Sequence, residues 1–479
     1  MTRLLFVASE AYPLIKTGGL ADIAGSLPEV LRQQGVDVRL LLPAYRQVLD
    51  SIDPPRTVAE LELAGTPLRL LATVLPGTGV ETWLLDHPSF AARPGNPYHG
   101  PDGEPWPDNA DRFMLLSRLA AAISTGEAGL DWRPDVLHCN DWHTGPAVAL
   151  THLHEQRPLT VFTVHSLAHM GLFDRGTFER LQLPGHFWQD SALEFYDQFS
   201  FIKGGLVYAD YITTVSPTYA REICESPGGM GLEGLLQARR ERLVGILNGI
   251  DHGVWDPATD PYLEHHYDAA NLEGKALEKV ALQRSLGLAA LDDRPLLGIV
   301  GRLVEQKGLE LILPALGDIL AKPAQVVVLG TGEKRFEEQL QAVARAHPDA
   351  MAVILAYDES LAHRIEASAD IFLMPSLFEP CGLNQLYSLR YGTLPLVRAV
   401  GGLADTVVDA TPQALADGTA TGFVFGPPDS GEFMSALARA IALWRDQASW
   451  RRLQVTAMAQ DFSWQRSAAR YLELYDSPR

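Results

Sequence analysis

"RLLFVASEAYPLIKTGGLADIAGSLPEVL" (residues 3–31) opens on a short apolar, β-rich run and turns at a pair of glycines. It then sets Leu20, Ile23, Ala24, Leu27 and Leu31 on one face of a helix. That is strand, turn, helix, with the glycines at the strand's carboxyl end. Pro28 falls inside the helical pattern and predicts an interruption there. Part of the stretch returns near the other end of the chain, where residues 400–415 read "VGGLADTVVDATPQAL".

The same alternation runs outward in both directions. "DVRLLLP", "PDVLHC", "LTVFTVH" and "YITTVS" join the first run, and "LLGIVG", "AQVVVLG", "MAVILAY", "IFLMPS" and "LPLVRAV" form a second series. These runs are continuously apolar, which predicts strands buried on both faces of parallel sheets. The fold class expected is therefore α/β, with two doubly wound halves. Within "RLVGILNGIDHGVWDP" (242–257) a strand-like run passes into an Asn-Gly turn, so the boundary is set at residue 249. The Pro/Gly-rich segment 87–108 reads as a long surface loop, a kind that is often functional.

The chain has 479 residues, enough for two or three domains. Its 47% hydrophobic and 20% charged residues are those of a globular protein. A net charge of −20 argues against a broad nucleic-acid face or an anionic membrane surface, both of which need clustered cations. Cys139, Cys224 and Cys381 are too widely spaced for a disulfide framework, which fits a reducing compartment. Ser9, Glu10 and Pro13 interrupt the apolar N-terminal run that a secretory leader would need. No apolar run approaches the roughly 18 residues of a membrane span. The expectation is a cytoplasmic protein.

In doubly wound sheets, ligands sit beyond the carboxyl ends of the strands, where glycine turns lead into helices. Paired glycines let backbone N–H groups approach an anion at a helix start. They also simply make tight turns, and from the residues alone both readings stand. Arg302 and Lys307 follow "LLGIV" directly, in "VGRLVEQKGLELIL" (300–313). Two cations at a strand end suit a diphosphate, and they equally suit a solvated surface. His138, His143, His152 and His154 lie on a strand, a turn and a helix in an order that gives no convergent metal set.

Taken in order, "KTGGLAD", "NDWHTG", "TVHSLAHMG", "GILNGID", "GRLVEQKG", "EPCGLNQLYSLRYG" and "GGLADTV" resemble bacterial glycogen synthase and plant starch synthase. These are retaining glycosyltransferases of the GT-B type, with two Rossmann-like domains facing an interdomain cleft. The resemblance implies domains at 1–248 and 249–456, and a C-terminal helix within 457–479 that packs back on the first. It implies transfer of glucose from ADP-glucose to the non-reducing end of an α-1,4-glucan, with no metal and no cofactor. By the same resemblance Lys16, Gly18 and Gly19 bind the donor. Arg302 and Lys307 neutralise the departing diphosphate, and Glu379 holds the donor sugar. Cys381, Gly382, Leu383 and Asn384 lie at the distal phosphate, His165 touches the transferred glucose, and Asp141 lies near the sugar or acceptor.

Three positions depart from the family pattern: Ser166 stands for Asn, His169 for Tyr or Phe, and Asn384 for Thr. They bear on contacts and donor preference more than on reaction class. The residues do not choose ADP over UDP. Tyr387 occupies the position where many sucrose- and surface-glycan-forming transferases carry a second glutamate, which favours the synthase group. No clean G-x-G-x-x-G follows the first strand, as a dinucleotide oxidoreductase would require. A glycan phosphorylase would carry a lysine-bound pyridoxal group, and a non-catalytic glucan-binding protein would release no nucleotide.

Overall fold

A computed structural model describes residues 1–93 and 95–478, so Pro94 of the long loop and the terminal Arg479 lie outside it. The chain divides into two compact units: Met1–Gly249 with Trp464–Arg479, and Ile250–Ser463.

The first unit is built on nine strands: β1 (Arg3–Val7), β2 (Asp37–Pro43), β3 (Arg56–Leu63), β4 (Thr66–Val74), β5 (Glu81–Asp86), β6 (Val136–Asn140), β7 (Leu159–Val164), and two more, numbered β11 and β12 below. Three short strands, β8 (Leu172–Phe173), β9 (Glu194–Phe195) and β10 (Gln198–Ser200), form a separate antiparallel sheet ordered β8-β10-β9. With β11 (Tyr211–Thr214) and β12 (Leu243–Gly245), the large sheet runs β12-β11-β7-β6-β1-β2-β5-β4-β3. Its pairs are parallel from β12 through β5 and antiparallel at β5–β4 and β4–β3. Leu4, Leu5, Phe6 and Val7 are all fully buried, as a central strand covered on both faces requires. The β3–β4 hairpin and β5 were not among the expected strands. No residue of β3 is fully buried and half are exposed, so it lacks the continuous apolar run used to find the others.

The second unit holds β13 (Leu296–Val300), β14 (Gln325–Leu329), β15 (Met351–Ile354), β16 (Ile371–Met374), β17 (Leu394–Arg398) and β18 (Phe423–Phe425), all parallel, ordered β15-β14-β13-β16-β17-β18. Alternate residues enter opposite cores. Leu297, Val326, Val328 and Leu373 join Leu437 and Trp450 on one face, while Leu296, Val327 and Phe372 join Leu361, Ile365 and Leu403 on the other. Helices cover both faces, so this is the doubly wound arrangement.

The helix expected after β1 is α1, Gly19–Gln33. Pro28 lies inside it and does not end it, which corrects the expected interruption. Proline removes one hydrogen bond, whereas Leu20, Ile23, Leu27, Val30 and Leu31 anchor a buried face along the whole length. The helix Trp464–Tyr475 belongs to this unit; Tyr475 Oη lies 2.7 Å from His138 Nδ1, and Ser467 Oγ donates to Leu247 O at 2.6 Å. No helix among the described residues is long and apolar enough to cross a membrane.

Strand order changes direction between β1 and β6 in the first unit, and between β13 and β16 in the second. Such switch points open a crevice at the strands' carboxyl ends. In the second unit that end is shaped by backbone approach. At Gly308, φ is 71° and a Cβ would lie 2.0 Å from Pro375 O, directly after β16. Gly308→Ala is expected to lower the stability of the protein by about 2–4 kcal/mol. Gly287→Ala, at φ 73° but in open space, should cost only about 1–2 kcal/mol. Denaturant unfolding of the two variants separates the clash from the strain, and equal losses would mean that the β13 turn does not depend on this contact.

Candidate functional site

In the first unit the switch point gathers the turns after β1, β6 and β7. The turn after β1 carries Glu10, Lys16, Thr17, Gly18 and Gly19. Glu10 is 3% exposed and accepts from Thr17 N–H at 2.6 Å and Thr17 Oγ1 at 2.7 Å. Burial raises its carboxyl to about 7, against the lowering effect of those hydrogen bonds. Lys16 Nζ pairs with Asp22 Oδ1 at 2.9 Å, one turn into α1, and sits 5.5 Å from the centre of the Tyr12 ring. Thr17, Gly18 and Gly19 are exposed. Gly18 is the extended residue before α1, and its backbone N–H, like that of Thr17, is turned to the Glu10 carboxyl. The exposed glycine backbone therefore stands at the positive end of a fifteen-residue helix.

Asp141 follows β6 at φ 57° and accepts from His165 N–H at 2.7 Å. Burial pushes its carboxyl up to about 7, with the Glu10 charge adding to the rise and the amides of His165 and Ser166 opposing it. His165 ends β7, and its tautomer follows from its neighbours. Asn140 Nδ2 donates to Val7 O at 3.0 Å, which turns Asn140 Oδ1 toward His165 Nε2, 3.0 Å away. Nε2 therefore carries the ring proton and Nδ1 a lone pair. Nδ1 is buried and has no hydrogen-bond partner among the described residues. Burial lowers the imidazole to about 3, so the ring stays neutral. A neutral ring with one unsatisfied acceptor is ready for a hydroxyl.

The long loop reaches this place too, which sequence reading left open. Tyr98 Oη lies 2.8 Å from Ser9 Oγ, and Ser9 Oγ lies 3.2 Å from His143 Nδ1. The loop is pinned by Arg93, bidentate on Asp108 at 2.5 and 2.6 Å, and by buried Arg112, which donates to Pro97 O at 2.7 Å. Glu10, Ser9, Asn140, Tyr98 and His143 were all missed as site residues. Glu10 offered one signal, a lone carboxylate directly behind an apolar strand. The remaining histidines do not converge: His138 meets Thr163 and Tyr475, His152 the Tyr208 ring, and His154 Glu127. Among the described residues no cluster of His, Cys, Asp and Glu could hold a metal ion.

In the second unit the turns after β13, β16 and β17 meet. Lys307 Nζ lies 2.6 Å from Glu379 Oε2, which also accepts from Ser376 Oγ at 3.1 Å, and Glu379 is 6% exposed. Arg302 is exposed and donates to Gln306 Oε1 at 3.3 Å. Gln306 in turn donates to Phe378 O at 3.1 Å, tying the two turns together. Gly382, Leu383 and Asn384 are partly exposed at the start of the helix Asn384–Arg390, and Cys381 is buried. Asn384 Nδ2 donates to Val300 O at 2.7 Å, so this side chain fastens the helix start to the end of β13. Arg398 Nε donates to Ser376 O at 2.9 Å, and its Nη2 to Leu377 O.

The second GGLAD behaves unlike the first. A Cβ on Gly401 would lie 1.9 Å from Glu379 O, and one on Gly402 would lie 2.1 Å from Cys381 O. Gly402 N–H already donates to the carbonyls of Glu379 and Pro380, each at 3.1 Å. These glycines seat the Glu379 turn, so of the two readings left open by the residues the tight turn is the one this copy takes. Gly18, by contrast, would bring a Cβ no closer than 3.8 Å to Glu10.

Residues 3–238 match the family described as Starch synthase catalytic domain, and residues 287–453 match Glycosyl transferases group 1. Glycogen synthase 1 of Methylococcus capsulatus is 54% identical over 473 residues, covering 99% of this chain and 96% of its own. The glycogen synthase of Cellvibrio japonicus is 53% identical over 477 residues, covering 99% of each. The catalytic domain of Starch Synthase IV from Arabidopsis thaliana, solved bound to ADP and acarbose, superposes with a TM-score of 0.88 at 32% identity, covering 99% of this chain and 98% of that one. A sucrose-phosphate synthase from Thermosynechococcus elongatus, at 17% identity and a TM-score of 0.61, shares the fold.

The buried carboxyls give a pH test. Glu10 is raised from an ordinary 4.5 to about 7, so between those values the folded protein holds a proton that the unfolded chain has released. Stability then falls as pH rises through that window. Glu10→Gln should remove this part of the slope, which amounts to about 2–3 kcal/mol between pH 5 and pH 8. Asp141 keeps its own contribution of the same sign in the variant. Urea titrations of both proteins at the two pH values measure the difference, and parallel pH profiles would place the Glu10 carboxyl in water.

Proposed function

This chain belongs to the glycogen synthase family of glycosyltransferases, and we propose that it extends an α-1,4-glucan from ADP-glucose, retaining the sugar's configuration and releasing ADP. The observation that carries the donor reading is the pair of cations behind β13: Arg302 exposed, and Lys307 held at 2.6 Å by buried Glu379. In glucosyl transfer the sugar gains oxocarbenium character while negative charge gathers on the departing diphosphate. Fixed cations stabilise that charge where it develops, and such preorganised stabilisation often contributes more to catalysis than any other single effect. The guanidinium suits a bidentate hold on phosphate oxygens, and the ammonium adds a point charge. Gly382, Leu383 and Asn384 lie at a helix start and offer backbone N–H groups to the distal phosphate.

Lys16, Gly18 and Gly19 also take part in donor binding. His165 accepts a sugar hydroxyl through Nδ1, and Asp141 orients His165 through its backbone amide. Glu379, tied to Lys307 and Ser376, hydrogen-bonds the sugar with its remaining oxygen. No carboxylate is assigned as a nucleophile in this reading. The reaction then proceeds on one face. The bond from C1 to the diphosphate oxygen breaks, the glucan 4-hydroxyl oxygen bonds to C1, and its proton passes to the leaving phosphate.

Supplying ADP-glucose and UDP-glucose separately with glycogen, and measuring nucleotide release and chain growth, tests the donor directly. Arg302→Ala and Lys307→Ala should each lower kcat by about 10²–10³ while circular dichroism stays unchanged. Arg302→Lys should recover only part of the loss, because an ammonium lacks the guanidinium fork. Near-normal kcat and donor KM in both alanine variants would put the diphosphate elsewhere.

A further inference from the structure

The small sheet β8-β10-β9 ends in a turn that its sequence should disfavour. β9 and β10 are joined by two residues, Tyr196 and Asp197, both at positive φ (48° and 61°). A two-residue hairpin turn of this kind ordinarily takes Asn-Gly or Gly-Gly, because only such residues reach that region without strain. A tyrosine there is a costly choice, and burial does not offset it: Tyr196 is 77% exposed. Beside it Met230, at φ 51°, is 49% exposed. Three of the six non-glycine residues with positive φ among the described residues thus fall in one surface patch, and a fourth is Asp141 at the catalytic centre. Backbone strain held at an exposed aromatic is a sign of use.

The patch is built to hold the ring still. Phe195 stands edge-on to Tyr196 with ring centres 4.7 Å apart. Gly231 is fitted against both rings; a Cβ there would lie 3.1 Å from Phe195 and 3.4 Å from Tyr196. Glu194 Oε1 accepts from Asp197 N–H at 2.8 Å and Glu233 Oε2 from Gly231 N–H at 2.8 Å, so carboxylates brace both sides. Lys203 is buried and donates to the carbonyls of Asp190 and Glu194, leaving its charge beneath the patch and off its surface. The outer face is therefore an aromatic ring rimmed by acidic oxygens.

That surface suits a neutral ligand with apolar faces and many hydroxyl donors. A pyranose ring has this character: its axial C–H groups stack on an aromatic face while its hydroxyls donate to carboxylates. Along the chain, β8 of this sheet follows directly on the 165–171 turn that carries His165. The geometry points to a glucan-holding platform at Tyr196, outside the reacting centre, that grips a distant part of the acceptor chain. This inference rests on the acceptor being an α-1,4-glucan, and it gives a polymer a second hold that a short acceptor cannot use. Two linked contacts raise the affinity for the polymer without altering the chemical step.

The test compares wild type with Tyr196→Ala and Tyr196→Phe, using native electrophoresis through gels containing glycogen and kinetics with glycogen or maltotriose as acceptor. Tyr196→Ala should lose most of the glycogen retardation and raise the glycogen KM about five- to tenfold. Its donor KM, and its kcat/KM on maltotriose, should stay at wild-type values, and Tyr196→Phe should behave as wild type, because stacking needs the ring alone. The retardation needs no turnover, so it reads the platform even if the donor reading above fails. Unchanged retardation and glycogen KM in Tyr196→Ala would overturn the platform. So would an equal loss on maltotriose, which would make Tyr196 part of the reacting centre or the fold. A shift in sedimentation coefficient between wild type and Tyr196→Ala would also overturn it, assigning the patch to self-association.

Discussion

The ion pair of Lys307 and Glu379 is the constraint on which the second unit's site depends. A carboxylate that is 6% exposed needs a partner, and its 2.6 Å contact with Lys307 draws the turns after β13 and β16 together. That approach is possible only because backbone meets backbone without side chains between. Gly308 clears Pro375 O, and Gly401 and Gly402 clear the carbonyls of Glu379 and Cys381. With the turns so placed, Arg302 stands exposed at the end of β13, and the helix start at Asn384 is fastened to the same strand end.

The first unit solves a different electrostatic problem. It holds two carboxyls, buried Glu10 and half-buried Asp141, close enough for the charge of one to raise the other. Desolvation carries both to about 7, so neither behaves as a permanently ionised group at neutral pH. His165 is held neutral by the same burial, and the chain Val7 O, Asn140, His165 decides which ring nitrogen carries the proton. A polar but largely uncharged centre suits a sugar, whose groups are hydroxyls. A fixed positive centre suits the diphosphate.

Much of this is legible in the residues alone. The continuous apolar runs of β1, β2, β6, β7, β13, β14, β16 and β17 announce buried parallel strands, because a strand covered on both faces cannot alternate. The glycine turns and the cations behind β13 are located at strand ends by the same logic. The β3–β4 hairpin escapes because an edge strand facing water carries no such run. Glu10 escapes because a single carboxylate in "SEAYP" has no pattern around it, and Tyr98 because its partner, Ser9, lies 89 positions away. Pro28 misleads because helix propensity is local, whereas the buried face that sustains α1 is tertiary.

The repeated GGLAD shows where the division falls. The sequence by itself determined that each copy starts a helix behind a buried strand, since glycine freedom and apolar spacing are properties of neighbouring residues. Only the tertiary structure decided what each pair of glycines does. Gly18 and Gly19 are exposed, with no backbone pressed against Gly18, whereas Gly401 and Gly402 lie against the backbone of Glu379, Pro380 and Cys381, and Gly402 has carbonyls on its N–H. A missing Cβ permits both close approach to a ligand and close approach to another chain segment. Which of the two occurs depends on what the fold brings within about 3 Å, and no local reading of five residues contains that distance.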